Sequence, residues 1–350
     1  MISSIAQPYK ISFCTTCMNR LHHLKETLPA NFANNSTYVN LEFILLNYNS
    51  KDDIDTWIEK EWMTEIESGR LKYLKTLEPL YFKYSHAKNM VAKFATGDII
   101  CNIDADNFTG PGFAEYINEQ FNNKDNIFLI GGKEGFWDTK GRVCLWKSDF
   151  LKLNGYDERI LDWGYEDIDF YYRVNNYLGR TEVKIEEDKY LQTIKHDEIE
   201  KMQNGVYHSE IEFGLVLETK NAIMAYILKK ENRFEHLTID SALMNTFIDG
   251  PIIKTEDIHQ GEWFINGSSI ELIDGESGRS QKIYTTDGGQ SYSTTAGIYK
   301  RIPKSTTCHY YSLLKGRLIF QQNINFKKEL NNDGFGDGLV FEPVTYSKEL

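Results

Sequence analysis

The sequence predicts an α/β domain built on a largely parallel sheet, followed by a smaller β-rich domain. Three observations carry that expectation. Between Ile11 and Asn107, short apolar runs of strand length alternate with helical stretches, the pattern of a parallel sheet with helical crossovers. One of those runs breaks into Cys101-Asn102-Ile103-Asp104-Ala105-Asp106-Asn107, and open α/β sheets carry their sites at the carboxyl ends of strands. From Leu237 onward the alternation gives way to short strand-like runs separated by Asn-Gly, Asp-Gly and Gly-rich turns, which indicates an all-β module. The expected division is residues 1–233 and 234–350.

In order, Ile11–Thr16 is the first expected strand, Cys17–Arg20 a turn, and Leu21–Leu28 a helix with Pro29 just past its end. Leu41–Leu46 is a second strand, running into Asn47-Tyr48-Asn49-Ser50. Asp52–Ser68 is helical, Leu71–Leu74 a third strand, His86–Ala95 a helix, and Ile99–Ile103 the fourth strand. Ile127–Gly132 and Val143–Trp146 read as strands around a turn at Trp137–Gly141, followed by a short helix, Asp149–Leu153, closed by Asn154-Gly155. A helix starts near Glu166, with Phe170, Tyr171, Val174 and Leu178 at helical spacing. Residues 219–233 read as a helix packed between domains. Trp263–Ile265, Ser269–Ile273 and Arg317–Phe320 read as strands of the β-rich domain. Asp287-Gly288-Gly289 reads as a tight turn, and Asn332–Gly338 as an Asx/Gly loop in preference to a Ca²⁺ site.

Composition narrows the function. A hydrophobic fraction of 41% supports a substantial core, and 39 basic against 51 acidic residues leave a formal charge of −12. Such a chain is not expected to bind nucleic acid, or an anionic membrane unaided. Five scattered cysteines do not form a disulfide framework. Cys14-Thr15-Thr16-Cys17 has no second pair to complete a zinc site and reads as plain thiols. Met1–Pro8 has neither a basic n-region nor an apolar h-region, so no secretion signal is expected. No apolar run reaches the ~18 residues of a membrane span.

Residues two apart on a strand share a face, so Asp104 and Asp106 can aim their carboxylates into one site. Paired carboxylates repel unless a cation offsets them, and their oxygens suit Mg²⁺ or Mn²⁺. The alternative is a strand-ending turn, since Asp and Asn are ordinary turn residues. Glu166, Asp167 and Asp169 crowd a helix start. Capping accounts for one acid there, not three beside an aromatic residue and a glycine.

The run Tyr84–Asp98, the Asp104/Asp106 pair, Asn154–Glu158 and Asp162-Trp163-Gly164-Tyr165-Glu166-Asp167-Ile168-Asp169 together resemble the inverting GT-A glycosyltransferases. The likeness is to family 2 and, in the second half, to the C-terminal Trp-Gly-x-Glu-Asp motif of the β-1,4-galactosyltransferase and polypeptide N-acetylgalactosaminyltransferase type. It spans roughly residues 8–200 and leaves 235–350 outside. The resemblance implies a GT-A, Rossmann-like fold. It also implies transfer of a sugar, with inversion, from a UDP-hexose or UDP-N-acetylhexosamine to a hydroxyl of a glycan or lipid-linked glycan. The natural setting would be bacterial surface polysaccharide synthesis, in the cytoplasm or peripherally at the inner membrane.

By the same resemblance, Thr15, Thr16, Asn19, Arg20, Asn47 and Asn49 would hold the nucleotide, and His86, Lys88, Asn89 and Asp104 its sugar and diphosphate. Asp104, Asp106 and His196 would hold Mn²⁺ or Mg²⁺. Asp167 would be the general base, with Glu166, Trp163 and Tyr165 at the acceptor; a core position is the alternative for Trp163. This chain departs from the pattern at Tyr165, where Gly is common, and at Thr193, where the galactosyltransferase type has Met. Two rivals remain. A nucleotidyltransferase would also use an Asp pair but leaves Trp163–Asp169 without a role. A non-catalytic glycan-binding or assembly protein leaves Asp104, Asp106 and Asp167 idle. Residues 234–350 would bind glycan or mediate self-association.

Overall fold

The computed structural model describes residues 8–220, 222–240, 258–294, 297–326 and 330–343. The chain divides into two compact units, residues 1–196 with 327–350 and residues 197–326. This differs from the boundary expected at 233/234. The β-rich part starts earlier, and the last segment belongs with the α/β unit.

The first unit runs β1 (Ile11–Cys17), α1 (Leu21–Asn34), β2 (Leu41–Tyr48), α2 (Ile54–Glu61), α3 (Met63–Glu67), β3 (Leu71–Thr76), α4 (Tyr84–Lys93), β4 (Ile99–Asn102) and β5 (Asn107–Phe108). It continues with α5 (Phe113–Asn123), β6 (Ile127–Ile130), β7 (Val143–Trp146), α6 (Lys147–Lys152), α7 (Glu166–Leu178), β8 (Thr181–Lys184) and β9 (Gln192–Thr193). Seven strands form one sheet in the order β3-β2-β1-β4-β7-β6-β8. The β3-β2-β1-β4 half is parallel, with Phe13 of β1 opposite Phe43 of β2 and Cys101 of β4. β7 runs antiparallel to both of its neighbours.

All of β2 and β4 and nearly all of β1 are buried, as a sheet covered on both faces requires. Phe13, Phe43, Trp57, Phe113 and Ile117 belong to one core cluster, and Ile44, Leu46, Met90, Phe128, Phe150 and Phe170 to another. Alternate residues of β2 (Phe43 and Leu45, Ile44 and Leu46) divide between the two clusters, so these are the two faces of the sheet. Pro29 lies inside α1 rather than beyond it.

The second unit opens with two short helices, α8 (Glu198–Met202) and α9 (Val206–Glu210). Then come β10 (Ile211–Glu218), β11 (Ala222–Lys229), β12 (Arg233–Asp240), β13 (Ile258–Asn266), β14 (Ser269–Asp274), β15 (Ser280–Thr286), β16 (Ser291–Ser293) and β17 (Ile298–Ile302). These eight strands close into a barrel, and α10 (Lys304–Phe326) follows.

Two expectations fail here. Residues 219–233 are not a helix: Ala222–Lys229 is a strand paired with β10 and β12. A short apolar run fits either period, and Thr219, bonded through its N–H to Ala222 O, makes the turn that selects a hairpin. Arg317–Phe320 is not a strand but the middle of α10. Buried Cys308, Tyr311, Leu314 and Leu318 recur every three or four residues along that helix, a longer-range period that outweighs a four-residue alternation. No helix among the described residues is long and apolar enough to cross a membrane.

Candidate active site

Two crossovers bring the sequence-predicted residues to the carboxyl end of the sheet. β4 ends at Asn102, whose side-chain amide donates to Asp104 Oδ1 at 2.9 Å and to Gly141 O at 2.9 Å. A Cβ on Gly141 would stand 2.4 Å from Asp104 Oδ2, so this glycine leaves room for the carboxylate. Burial raises the pKa of Asp104, an effect that Lys88 opposes and Asp106 reinforces.

Immediately after Asp106, β5 pairs antiparallel with β9, Asn107 opposite Thr193, and Ile194 N–H donates to Asp106 O at 2.8 Å. That two-residue ladder delivers His196, whose Nε2 lies 3.0 Å from Asp106 Oδ2. Burial works against the Asp106 charge, but the hydrogen bond from His196 holds its carboxyl below the usual range. Carboxylate and imidazole together are a donor set that fits Mn²⁺. Asp104 does not join them as a three-ligand group among the described residues; its oxygens face Asn102 and Gly141.

The second constellation is assembled by α4 and α7. Lys88 is buried and donates to Asp167 Oδ1 at 2.7 Å and to Glu166 Oε1 at 3.3 Å. Burial opposes its charge, but Asp167 and then Glu166 outweigh that and raise its pKa well above normal. Burial pushes the Asp167 carboxyl up to about 7, and Lys88 limits the rise. Glu166 Oε2 accepts from Gly164 N–H at 2.8 Å, folding the loop back on the helix start. Asp169, the third acid, is fully buried and paired with Arg173 Nε at 2.7 Å. It is structural.

Trp163 is half-buried, and Tyr165 is buried with φ +69. A left-handed backbone at Tyr165 accounts physically for the glycine that the resembling pattern favours there.

The remaining expected residues separate by what their side chains touch. Asn47 is fully buried: its Oδ1 accepts from Ser50 N–H at 2.8 Å, and its Nδ2 donates to Asp55 at 2.9 Å and Tyr73 at 3.1 Å. Asn49 bonds Pro79 O at 2.7 Å and Lys51 Nζ at 2.7 Å. Asn19 caps Lys51 N–H at 2.6 Å. These amides build the turn after β2. Thr15 and Thr16 lie in β1, Thr15 buried and Thr16 half-buried, and Arg20 precedes α1. Asn89 is fully buried and spends its amide on Tyr156 N–H (2.7 Å), Tyr156 O (2.9 Å) and Glu158 Oε1 (2.8 Å). His86 is bonded through both ring nitrogens, to Tyr48 OH at 2.6 Å and Asp337 O at 2.8 Å.

Sequence reasoning missed Arg142 and Asp55. Arg142 is fully buried beside the Asp104/Asp106 stretch, donates through Nη2 to Asn107 Oδ1 and Phe108 O at 3.0 Å, and leaves Nε and Nη1 without partners. Asp55 binds Lys75, Tyr73 and Asn47; burial works against its charge, but Lys75 with the other partners holds its carboxyl below the usual range. Neither sits in a recognisable motif; only the fold gathers their partners.

A sequence model described as the N-terminal domain of galactosyltransferase matches residues 135–197. Human chondroitin sulfate synthase 3 is 42% identical over 52 residues, which are 14% of this chain and 6% of that protein. The chain thus matches only a small part of that relative's length. Among solved structures, a mannosyltransferase from Pyrobaculum calidifontis in complex with GDP-Man and Mn²⁺ aligns at 15% identity and TM-score 0.46, covering 58% of this chain and 64% of that one. A Drosophila β-1,4-galactosyltransferase 7 variant with manganese, UDP-Gal and xylobiose aligns at 13% identity and TM-score 0.39, covering 56% and 74%.

Proposed function

We propose that the chain is a metal-dependent GT-A glycosyltransferase. It moves a sugar from a UDP-linked donor to a glycan hydroxyl with inversion, in bacterial surface polysaccharide synthesis on the cytoplasmic side. The observation that carries this reading is one cluster at the carboxyl end of the sheet. Asp167 with Lys88 forms one side of it, Asp106 with His196 the other, and Asp104 interacts electrostatically with Lys88, Asp106 and Glu166. The galactosyltransferase family model adds support, because its match includes both Asp167 and His196.

In this reading Asp106 and His196 hold Mn²⁺ or Mg²⁺, with Asp104 facing the donor. The ion, when bound, offsets the charge of the departing diphosphate. Asp167 takes the proton of the acceptor hydroxyl as its oxygen bonds to the anomeric carbon and the bond to the diphosphate breaks. A carboxyl pushed up by burial is a stronger base than an exposed one. Lys88 limits the rise that burial imposes on the Asp167 carboxyl and also reaches Glu166, tying the two acids to α4. Glu166, Trp163 and Tyr165 shape the acceptor side.

The test is a screen of nucleotide sugars for metal-dependent hydrolysis and for protection against thermal unfolding. Protection by one nucleotide with Mn²⁺, lost on chelation, is the expected result. Equal protection with and without chelator would remove the metal assignment.

A further inference from the structure

The glycine-rich stretch Asn331–Gly338 finds its role in the α/β unit, where residues 330–343 lie along one face of α4. His86, Met90 and Lys93 are three or four residues apart and so share that face. Asp337 O accepts from His86 Nε2 at 2.8 Å. Lys93 Nζ donates to Phe335 O at 2.9 Å and Asp337 Oδ1 at 2.7 Å. Gly336 presses its backbone on the helix, where a Cβ would stand 2.6 Å from Met90 N, and its φ is +56.

The same strap grips two more pieces. Asn331 Nδ2 donates to Asn154 O at 2.8 Å and Tyr156 O at 2.7 Å, and Asn154 Nδ2 answers to Leu330 O at 3.0 Å. Gly336 N–H donates at 2.5 Å to Glu158 Oε1, the oxygen that Asn89 of α4 also reaches at 2.8 Å. Beyond, Phe341 and Lys75 exchange backbone hydrogen bonds at 2.9 and 3.0 Å on the edge of β3. Phe335 packs on Phe150 with ring centroids 5.9 Å apart.

The pieces clamped together are α4, which carries Lys88, and the 154–158 loop, which leads into the Trp163–Asp169 stretch. Asn89 alone does not saturate this junction: Tyr156 O and Glu158 Oε1 each take one bond from Asn89 and one from the strap.

We propose that Asn331 and Gly336 are positioning residues of the transferase site: the strap locks the 154–158 loop onto α4 and so sets Lys88 in register with Glu166 and Asp167. The inference rests on the transferase reading above, and the experiment separates the two.

In the full chain, Asn331→Ala removes both side-chain donors, and Gly336→Ala drives a methyl group into the α4 backbone. Leu339→Ala, at a position 74% exposed on the same strap, is the control. A misplacement of the order of an ångström is expected to lower kcat roughly 10- to 100-fold. The donor KM should stay within about twofold, and the pH midpoint of kcat/KM should move. Amide hydrogen exchange should rise in 84–93 and 154–169 and stay unchanged in 211–240. Exchange that rises only in 330–343, or full kcat with the strap released, overturns the proposal. If Gly336→Ala does not fold, Asn331→Asp keeps the shape, removes the donors and carries the same measurements. If the wild type transfers no sugar from any nucleotide donor, the transferase reading fails. Exchange then decides the clamp alone: loss of protection in 84–93 and 154–169 upholds it, and loss confined to 330–343 overturns it.

Discussion

Lys88 and Asp167 are joined by a 2.7 Å hydrogen bond across 79 residues of sequence. The bond places a buried ammonium against a carboxyl that burial has pushed up to about 7. Removing basicity while keeping shape isolates this carboxyl. Asp167→Asn is expected to lower transfer at saturating substrates by roughly 10²–10⁴-fold with donor affinity unchanged. Glu166→Gln should weaken acceptor binding more than it slows the saturated reaction. Steady-state transfer and separate donor titrations check both. Near wild-type turnover in Asp167→Asn with a dead Glu166→Gln would swap the roles.

The same carboxyl predicts a pH profile. A general base works ionised, so kcat/KM should climb with pH and level off above about 7, the value to which Asp167 is raised. Stability should move the other way. The folded value lies above the ordinary 3.8, so the stability linked to this group is complete at acid pH and is lost as pH rises through about 7. Asp167→Asn should flatten both dependences. Denaturant midpoints between pH 4 and 8, beside the rate profile, check this; an unchanged slope in the variant would rule the assignment out.

His196 and Asp106 are tested by calorimetry with UDP and Mn²⁺. Asp106→Ala and His196→Ala should each weaken metal-dependent binding on the order of 10- to 100-fold, the loss typical when a metal site is disturbed. Chelator should reduce wild-type binding to the level of the variants. Equal affinity with and without chelator would contradict the assignment.

Gly141→Ala probes Asp104 without touching it. The added methyl would lie 2.4 Å from Asp104 Oδ2. The overpacking should cost about 1–3 kcal/mol of stability and displace the carboxylate. Donor binding should fall while acceptor affinity holds. A variant as tight as wild type for UDP would place Asp104 outside the donor site.

A chain cut after residue 234 is expected to be insoluble. It would keep β10 and β11 but lose nearly all of β12, all of β13–β17 and α10, and residues 330–343, leaving open strand edges that invite aggregation. Size-exclusion chromatography of that fragment beside the full chain is the check. A soluble monomer would show that the α/β unit tolerates two orphan strands and the loss of its strap.

The sequence was most informative where one strand or helix carries a whole signal. β1, β2 and β4 read as strands rich in apolar residues because the sheet is covered on both faces and buries them almost whole, and Glu166 opens α7 as the crowded acids indicate. It was least informative where partners come from far away. Asn89 reads like a ligand at a helix start, yet its amide is consumed by residues 67 and 69 positions on. Ala222–Lys229 reads as part of a helix, and only its neighbours in the barrel make it a strand. Arg142 has no local signature, since its burial is set by β5 and α5. The strap was invisible because its hydrogen bonds use mostly backbone groups, which every sequence possesses.

The strap also fixes an order of events during synthesis. A ribosome produces chain from the amino end, and domains generally fold as they emerge. The α/β unit, however, is written in two instalments, residues 1–196 and 327–350, with 130 residues of barrel unit between them. Closing that gap costs only modest chain entropy, since loop closure scales with the logarithm of length, but it cannot happen before the intervening residues exist. The nascent α/β unit therefore waits with α4 and the 154–158 loop uncovered, and Phe150 lacks the ring of Phe335. The last contacts to form are then those by which residues 330–343 tie the 154–158 loop to α4.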